Sequence, residues 1–144
     1  MATKIFVNLP VRDLQKSMEF FSQLGYSFNK QFTDETAASM VISDDIYVML
    51  LTHEKFSQLT SKKIADATQM TEVLTCLSCD SKTKVDEIVN KALAEGATEV
   101  KDPMDYGFMY GRSFHDLDGH IWEMMWMDPT FAVSEETVAE ANLN

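Results

Sequence analysis

Basic residues are scarce in this chain. Lysine and arginine together number 12, against 23 aspartates and glutamates, which gives a formal net charge of −11. A chain with this balance repels phosphate backbones and anionic membrane surfaces, because its own field has the same sign. We therefore expect neither nucleic acid nor a membrane as a partner.

Long apolar runs and cysteines are also few. Runs such as residues 46–51 are far shorter than the roughly 20 residues that cross a bilayer, and residues 1–10 lack the apolar core of a signal peptide. We therefore expect a cytoplasmic protein. The two cysteines, Cys76 and Cys79, have C-x-x-C spacing, but they fall on a predicted strand, where residues three apart point to opposite faces. We interpret them as separate packing cysteines.

The pattern of apolar residues repeats along the chain. It predicts a strand over 4–9, a helix after Asp13 that ends at Gly25, and strands over 26–32, 37–42 and 46–52. The same order returns as a strand over 72–79, a helix that ends at Gly96, and strands over 98–101, 108–115 and 120–126.

This repetition defines the predicted fold class, which is α+β with two βαβββ modules. We assign residues 1–127 to a single domain made of two repeats, about 4–52 and 72–127, joined by a connector over 53–71. An acidic tail follows over 128–144. Each half offers one sheet face to a shared interior, so equivalent positions of the two halves converge there.

One acid, Glu123, interrupts the apolar final strand. A carboxylate at such a position must face water, a cation or a ligand. If residues 116–119 form the hairpin loop, Arg112 stands opposite Glu123 and the two form an ion pair. A two-residue loop at Asp118-Gly119 keeps Arg112 on the same face, diagonal to Glu123, whereas a one-residue slip exchanges the faces. Alone and buried, Glu123 would instead have the raised pKa of a general base.

The same alternation predicts an aromatic face on the preceding strand. That face carries a cation among its rings, and its members are Tyr106, Phe108, Tyr110, Arg112 and Phe114. Together with residues of the two modules' first strands, it would line an apolar pocket with a few polar groups that orient a small ligand. Those first-strand residues are Phe6, Asn8, Leu74 and Cys76. The alternative is that the aromatic rings fill the core. Likewise, His115 and His120 either form a two-histidine chelate across the turn or simply pack there.

Two motifs carry a resemblance to a known superfamily. Residues 6–14, Phe-Val-Asn-Leu-Pro-Val-Arg-Asp-Leu, and residues 118–123, Asp-Gly-His-Ile-Trp-Glu, resemble the two ends of a vicinal oxygen chelate protein. That superfamily includes glyoxalase I, bleomycin-binding resistance proteins, fosfomycin-resistance thiol transferases and extradiol dioxygenases. The resemblance implies one curled eight-stranded cup with helices on its convex side, a ligand site inside and a homodimer.

The resemblance carries over little of a metal site. In metal-dependent members a histidine usually stands at the position of Phe6 and another at the position of Leu74, and the symmetric mate of Glu123 falls near Val48. Glu123 is the only retained ligand position, and one carboxylate does not make a divalent-metal site. We therefore predict no cofactor, and a protein that binds a small apolar or aromatic ligand, with Glu123 as its candidate catalytic residue.

An enzyme is the alternative to this binding protein. It would be a metal-dependent lyase, isomerase or thiol transferase of the glyoxalase I type, with nickel, zinc or iron bound by Glu123 and by ligands from a partner chain or from other positions.

Overall fold

The computed structural model describes residues 2–131, whose strands form two sheets. Along the chain, the helices and strands are β1 (Ile5–Val11), α1 (Leu14–Gln23), β2 (Ser27–Asn29), β3 (Ala37–Val41), β4 (Ile46–Thr52), α2 (His53–Ser57), β5 (Leu74–Ser78), α3 (Lys82–Ala94), β6 (Thr98–Glu99), β7 (Met104–Asp105), β8 (Met109–His115) and β9 (Ile121–Met127).

The two sheets share one connection pattern. Their strand orders are β1-β4-β3-β2 and β5-β9-β8-β6, with β7 paired to β8. In each sheet the first strand of the module runs parallel to the last, and the other pairs are antiparallel. The predicted α+β fold of two βαβββ modules is confirmed, and the described strands form a curled cup rather than a closed barrel.

Side-chain caps fix where the two long helices begin. The Asp13 carboxylate accepts a hydrogen bond from the Lys16 amide at 3.1 Å, and the Ser81 hydroxyl accepts one from the Lys84 amide at 3.0 Å. Such caps satisfy amide groups that have no partner within the helix. Apolar residues then recur on one side of each helix, and this side is buried against the sheets.

The modules share one core. Phe21 of α1 contacts Trp122 of β9 with ring centroids 5.1 Å apart, and Phe20 packs edge-on to Phe114 of β8 at 6.1 Å. A helix of the first module therefore covers strands of the second, so α1 and α3 lie on the same side of the curled structure.

The opposite side of both sheets is the cup face. Since Val7, Val48, Leu77, Trp122 and Phe114 pack in the core, the residues that alternate with them point away from the helices. In the first sheet these are Phe6, Asn8, Tyr47 and Met49, and in the second they are Leu74, Cys76, Gly111, Ser113, Ile121, Glu123 and Met125.

Several boundaries differ from the predicted ones. The strand expected over 26–32 is shortened to Ser27–Asn29, because the Asn29 side chain accepts a hydrogen bond from the Gln31 amide and starts a 3-10 turn over Lys30–Phe32. Most of the predicted tail, residues 132–144, lies outside the described residues. Within the described part of the chain the longest helix is α3, whose 13 residues are too few to span a bilayer.

Candidate functional site

The connection between β8 and β9 decides which side chains reach the cup face. The buried Asp116 carboxylate accepts hydrogen bonds from the amides of Asp118 and His120, at 2.9 and 3.0 Å, and from the Trp122 indole N–H at 2.9 Å. Burial raises the pKa of Asp116. These bonds hold residues 116–120 as a five-residue loop, so His115 pairs with Ile121.

This register corrects the predicted pairing of Arg112. Ser113, not Arg112, stands opposite Glu123, while Arg112 stands opposite Met124 on the helix side of the sheet. The expected ion pair between Arg112 and Glu123 is wrong because the loop is one residue longer than predicted, and an odd shift exchanges the two faces of a strand.

Arg112 and Tyr110 have partners on the helix side. The Arg112 guanidinium donates to Asp86 of α3 at 3.0 Å, to Asn90 at 2.8 Å and to Glu99 at 3.3 Å. The Tyr110 hydroxyl donates to Asp86 at 2.7 Å, and this hydrogen bond raises the pKa of the phenol. The prediction that Tyr110 and Arg112 line the cup is therefore wrong. Phe114 is fully buried in the core on the same side.

The remaining two predicted aromatic residues lie between β7 and β8. Phe108 stacks on Phe131 with ring centroids 4.2 Å apart, and Tyr106 stacks more loosely on Phe108 at 6.5 Å. Tyr106 leaves 61% of its surface exposed. The residues of the predicted aromatic face are thus divided between the core, the helix side of the sheet and this stack. Ligand contact by Tyr106 and Phe108 stays a prediction.

Three polar side chains do meet on the cup face of the second sheet. Glu123 lies between Ser113 of β8 and Cys76 of β5, its paired residues on the two neighbouring strands. Within residues 2–131, the partly buried Glu123 carboxylate has no hydrogen-bond or ion-pair partner, and the buried Ser113 hydroxyl has none either. Burial and the charge of Glu123 raise the pKa of the Cys76 thiol. This polar group was missed in the sequence because its members meet only in the observed register.

A small cavity adjoins Ser113 and Glu123. Its volume is about 20 Å³, and Lys101, Met104, Gly111 and Met125 also line it. Arg112 and Met124 border it too, although their side chains lie on the helix side of the sheet. A space of this size holds one water molecule or a single ligand group.

The first sheet supplies apolar surface to the cup face. Phe6 of β1 stacks on Tyr47 of β4 with ring centroids 4.9 Å apart, and Asn8 pairs with Met49. Phe6 stays 53% exposed, and Leu74 on the second sheet stays 54% exposed. The predicted positions of Phe6, Asn8, Leu74 and Cys76 on the cup face thus agree with the strand alternation.

The side chains of the cup do not fit a bound metal ion. Phe6 and Leu74 carry no ligating atom. Two residues further along the same strands, Asn8 pairs with Met49 and Cys76 pairs with Glu123. Met49, not Val48, is therefore the symmetric mate of Glu123. Val48 lies in the core. Among residues 2–131, no three histidine, cysteine, aspartate or glutamate side chains are grouped closely enough to hold an ion.

The histidines beside the loop serve as packing groups. The His120 ring donates through Nε2 to the Pro10 carbonyl at 2.7 Å, and His115 Nδ1 lies 3.2 Å from the Thr98 hydroxyl. In the observed register His115 faces Ile121, so the two-histidine chelate is not formed.

The paired βαβββ modules and the cup face define a vicinal oxygen chelate fold. The family model for the Glyoxalase/Bleomycin resistance protein/Dioxygenase superfamily matches residues 5–124, and the chain belongs to this superfamily. Both the recognised resemblance and the fold that it implied are thereby confirmed.

Solved structures share the fold of this chain. The chain is 30% identical to a hypothetical protein from S. aureus, SA1046, over 88% of this chain and 95% of that one, with a TM-score of 0.73. It is 19% identical to a glyoxalase/bleomycin resistance protein/dioxygenase family enzyme from Burkholderia phytofirmans PsJN, over 88% and 99%, with a TM-score of 0.74. It is 14% identical to the fosfomycin resistance protein FosX from Mesorhizobium loti, over 90% and 96%, with a TM-score of 0.65. A search of curated proteins found no match.

Proposed function

We propose that this protein binds a small apolar or aromatic compound on its cup face, with Glu123 as the polar anchor and without a complete metal site. One observation carries the proposal. The unpaired Glu123 carboxylate stands opposite a buried Ser113 hydroxyl that also lacks a partner within the described residues.

The energetics of hydrogen bonding support a ligand at this pair. A buried hydroxyl without a partner costs about 1–3 kcal/mol, so a ligand group that bonds to it recovers that free energy. The carboxylate accepts hydrogen bonds only, whereas the hydroxyl both donates and accepts. A ligand hydroxyl, amine or amide satisfies both groups at once.

The remaining cup-face side chains favour an apolar body for this ligand. Phe6 and Tyr47 offer stacked rings, and Met49 and Met125 offer thioethers that adapt to different shapes. This combination of apolar surface with a few polar groups is typical of small-molecule sites.

Glu123 is also the candidate catalytic residue. Among Glu123, Ser113 and Cys76, the Glu123 carboxylate is the natural proton acceptor. The raised pKa of Cys76 keeps that thiol protonated at neutral pH. As an alternative to binding alone, we propose that Glu123 acts as a general base at this site. No step of this chemistry depends on a metal.

A fragment screen tests the proposal. Aromatic alcohols, amines and amides are screened by thermal shift, and the compounds that bind are then titrated against Glu123→Gln and against Glu35→Gln, a control in an exposed loop. We expect Glu123→Gln to weaken binding about ten-fold and the control to leave it unchanged. Equal binding to both variants would place the ligand elsewhere and overturn the proposal.

A homodimer and a cytoplasmic location stay predictions. Large apolar side chains at the edge strands β1 and β5 are more than half exposed, among them Ile5, Phe6, Val73 and Leu74, and a second copy of the chain would bury them. Light scattering decides the oligomeric state, since one chain has a mass of 16.3 kDa.

A further inference from the structure

Two cavities lie side by side where the connector crosses the junction of the modules. Their volumes are about 280 and 310 Å³. They share Pro10 of β1, His120 of the β8–β9 loop and three residues of the connector, Ile64, Ala65 and Ala67. The connector residues Ile64, Ala65 and Ala67 therefore border both cavities.

The larger cavity has an amphipathic lining. Leu9, Phe56, Val73 and Ile121 contribute apolar walls, and the ammonium-bearing residues Lys62 and Lys63 also border it. In a chain whose net charge is −11, two adjacent lysines beside an apolar cavity form an unusual local excess of positive charge.

The residues that line the larger cavity carry one more positive than negative charge. Glu72 is the acidic residue among its lining residues, against Lys62 and Lys63. His120 also borders the cavity, but its Nε2–H is engaged by the Pro10 carbonyl.

The smaller cavity has one more negative than positive charge, because Arg12 stands against Asp66 and Asp118. Arg12 borders it, and the Arg12 guanidinium contacts the Asp118 carboxylate at 3.2 Å and the Leu117 carbonyl at 2.9 Å. Asp66 also borders it and is close enough for Arg12 to help lower its pKa, although hydrogen bonds from Thr68 lower it more. The larger cavity is thus the one suited to an anion.

We infer that the larger cavity binds a monocarboxylate with an apolar chain or ring, whose carboxylate lies at Lys62 and Lys63 and whose body contacts the apolar walls. Its volume is at the lower end of the range for ligand cavities, about 300–1,000 Å³, so the ligand is small. A dianionic phosphate ester fits less well, because its second charge would meet Glu72 and the negative field of the chain.

This cavity meets the cup face at Asn8 and Ile121, but it does not include the polar pair proposed there, because neither Glu123 nor Ser113 lines it. The inference therefore goes beyond the proposed function, and each can fail without the other.

Octanoate is the probe that tests the inference, with 1-octanol as its uncharged counterpart and phenyl phosphate as the dianion. Each is titrated calorimetrically into the wild-type chain, into the double variant Lys62→Gln/Lys63→Gln and into the control Lys16→Gln/Lys30→Gln, whose lysines are exposed elsewhere. We expect octanoate to bind more tightly than phenyl phosphate. The double variant should weaken octanoate binding about ten-fold and leave 1-octanol unaffected, and the control should match the wild type.

The cup-face variant Glu123→Gln separates the two sites. It should bind octanoate with wild-type affinity, because Glu123 does not border the cavity. The inference is overturned if octanoate fails to bind, if phenyl phosphate binds as tightly, if the lysine variant retains full affinity for octanoate, or if Glu123→Gln abolishes octanoate binding.

Discussion

Ser113 stands directly opposite Glu123 on adjacent strands, and neither side chain has a hydrogen-bond partner among the described residues. The serine is 4% exposed, so its hydroxyl has left bulk water, and it bonds to none of the described residues. A native structure rarely keeps such a group without a functional reason.

Replacing Ser113 by alanine tests that cost. We expect Ser113→Ala to keep or raise the free energy of unfolding, by up to about 1 kcal/mol, because it removes a buried hydroxyl that bonds to none of the described residues. The matched control is Ser17→Ala, since Ser17 is equally buried but donates to Asp118. Urea denaturation should show the control to be the less stable variant, and the reverse order would contradict the assignment.

Alkylation of Cys76 reports on its neighbour Glu123. Burial and the negative charge of Glu123 raise the thiol pKa, so the reactive thiolate is sparse at neutral pH. In a Cys79→Ser background, we expect Glu123→Gln to lower that pKa and to speed the reaction with iodoacetamide between pH 7 and 8, the rate rising with pH in both forms. The rate is followed by mass spectrometry, and an unchanged pH profile would show that the two groups do not interact.

Substitution of Arg112 should affect stability and not binding. Arg112→Gln loses its ion pairs with Asp86 and Glu99 on the helix side. Because both carboxylates are about half exposed to solvent, we expect a loss of only about 1 kcal/mol in thermal or urea unfolding. Cup-face ligands found by the screen should bind with wild-type affinity. A loss of ligand binding without a loss of stability would show that Arg112 contributes to the ligand site.

Metal analysis tests the mismatch between the cup-face residues and a metal site. We expect less than stoichiometric nickel, zinc and iron by mass spectrometry of the purified protein, and a melting temperature that does not change with EDTA, since a resident ion would stabilise the folded state. One equivalent of any of these metals, lost together with stability on chelation, would support a metal-dependent enzyme instead.

Gly119 should tolerate no side chain. Its φ is +93°, and a Cβ there would lie 2.7 Å from the Ala67 carbonyl oxygen of the connector. Gly119→Ala would therefore push the loop away from the connector backbone and also strain the loop at this φ. We expect the free energy of unfolding, measured by urea denaturation, to fall by more than about 1 kcal/mol. Gly25→Ala is the control, because it carries the same backbone strain with no atom within 4 Å. Equal losses in the two variants would mean that the contact with Ala67 contributes nothing.

The order of helices and strands, apart from the short α2 and β7, could be predicted from the sequence because its signals are local. Apolar spacing, the cap residue Asp13 and the glycines after α1 and α3 all act within a few residues. The positions of Phe6, Leu74 and Glu123 on the cup face followed from that order.

The register of the last hairpin could not be predicted in the same way. It depends on how the Asp116 carboxylate distributes its bonds among Asp118, His120 and Trp122. A change of one residue in the loop is small in sequence but moves Arg112 to the opposite face. The connector cavity was missed for a related reason, since residues 53–71 have no periodic pattern that indicates what they cover.

The β8–β9 loop also binds the end of the first strand. Asp118 accepts from the Arg12 amide at 2.8 Å and His120 donates to Pro10, so these bonds join residues more than 100 positions apart. Contacts of such high contact order form late, because a long loop must close before they contribute. The first repeat therefore acquires these partners only after residues 118–120 have been synthesised, and a variant that ends before residue 118 would lack the bonds that join its two halves here.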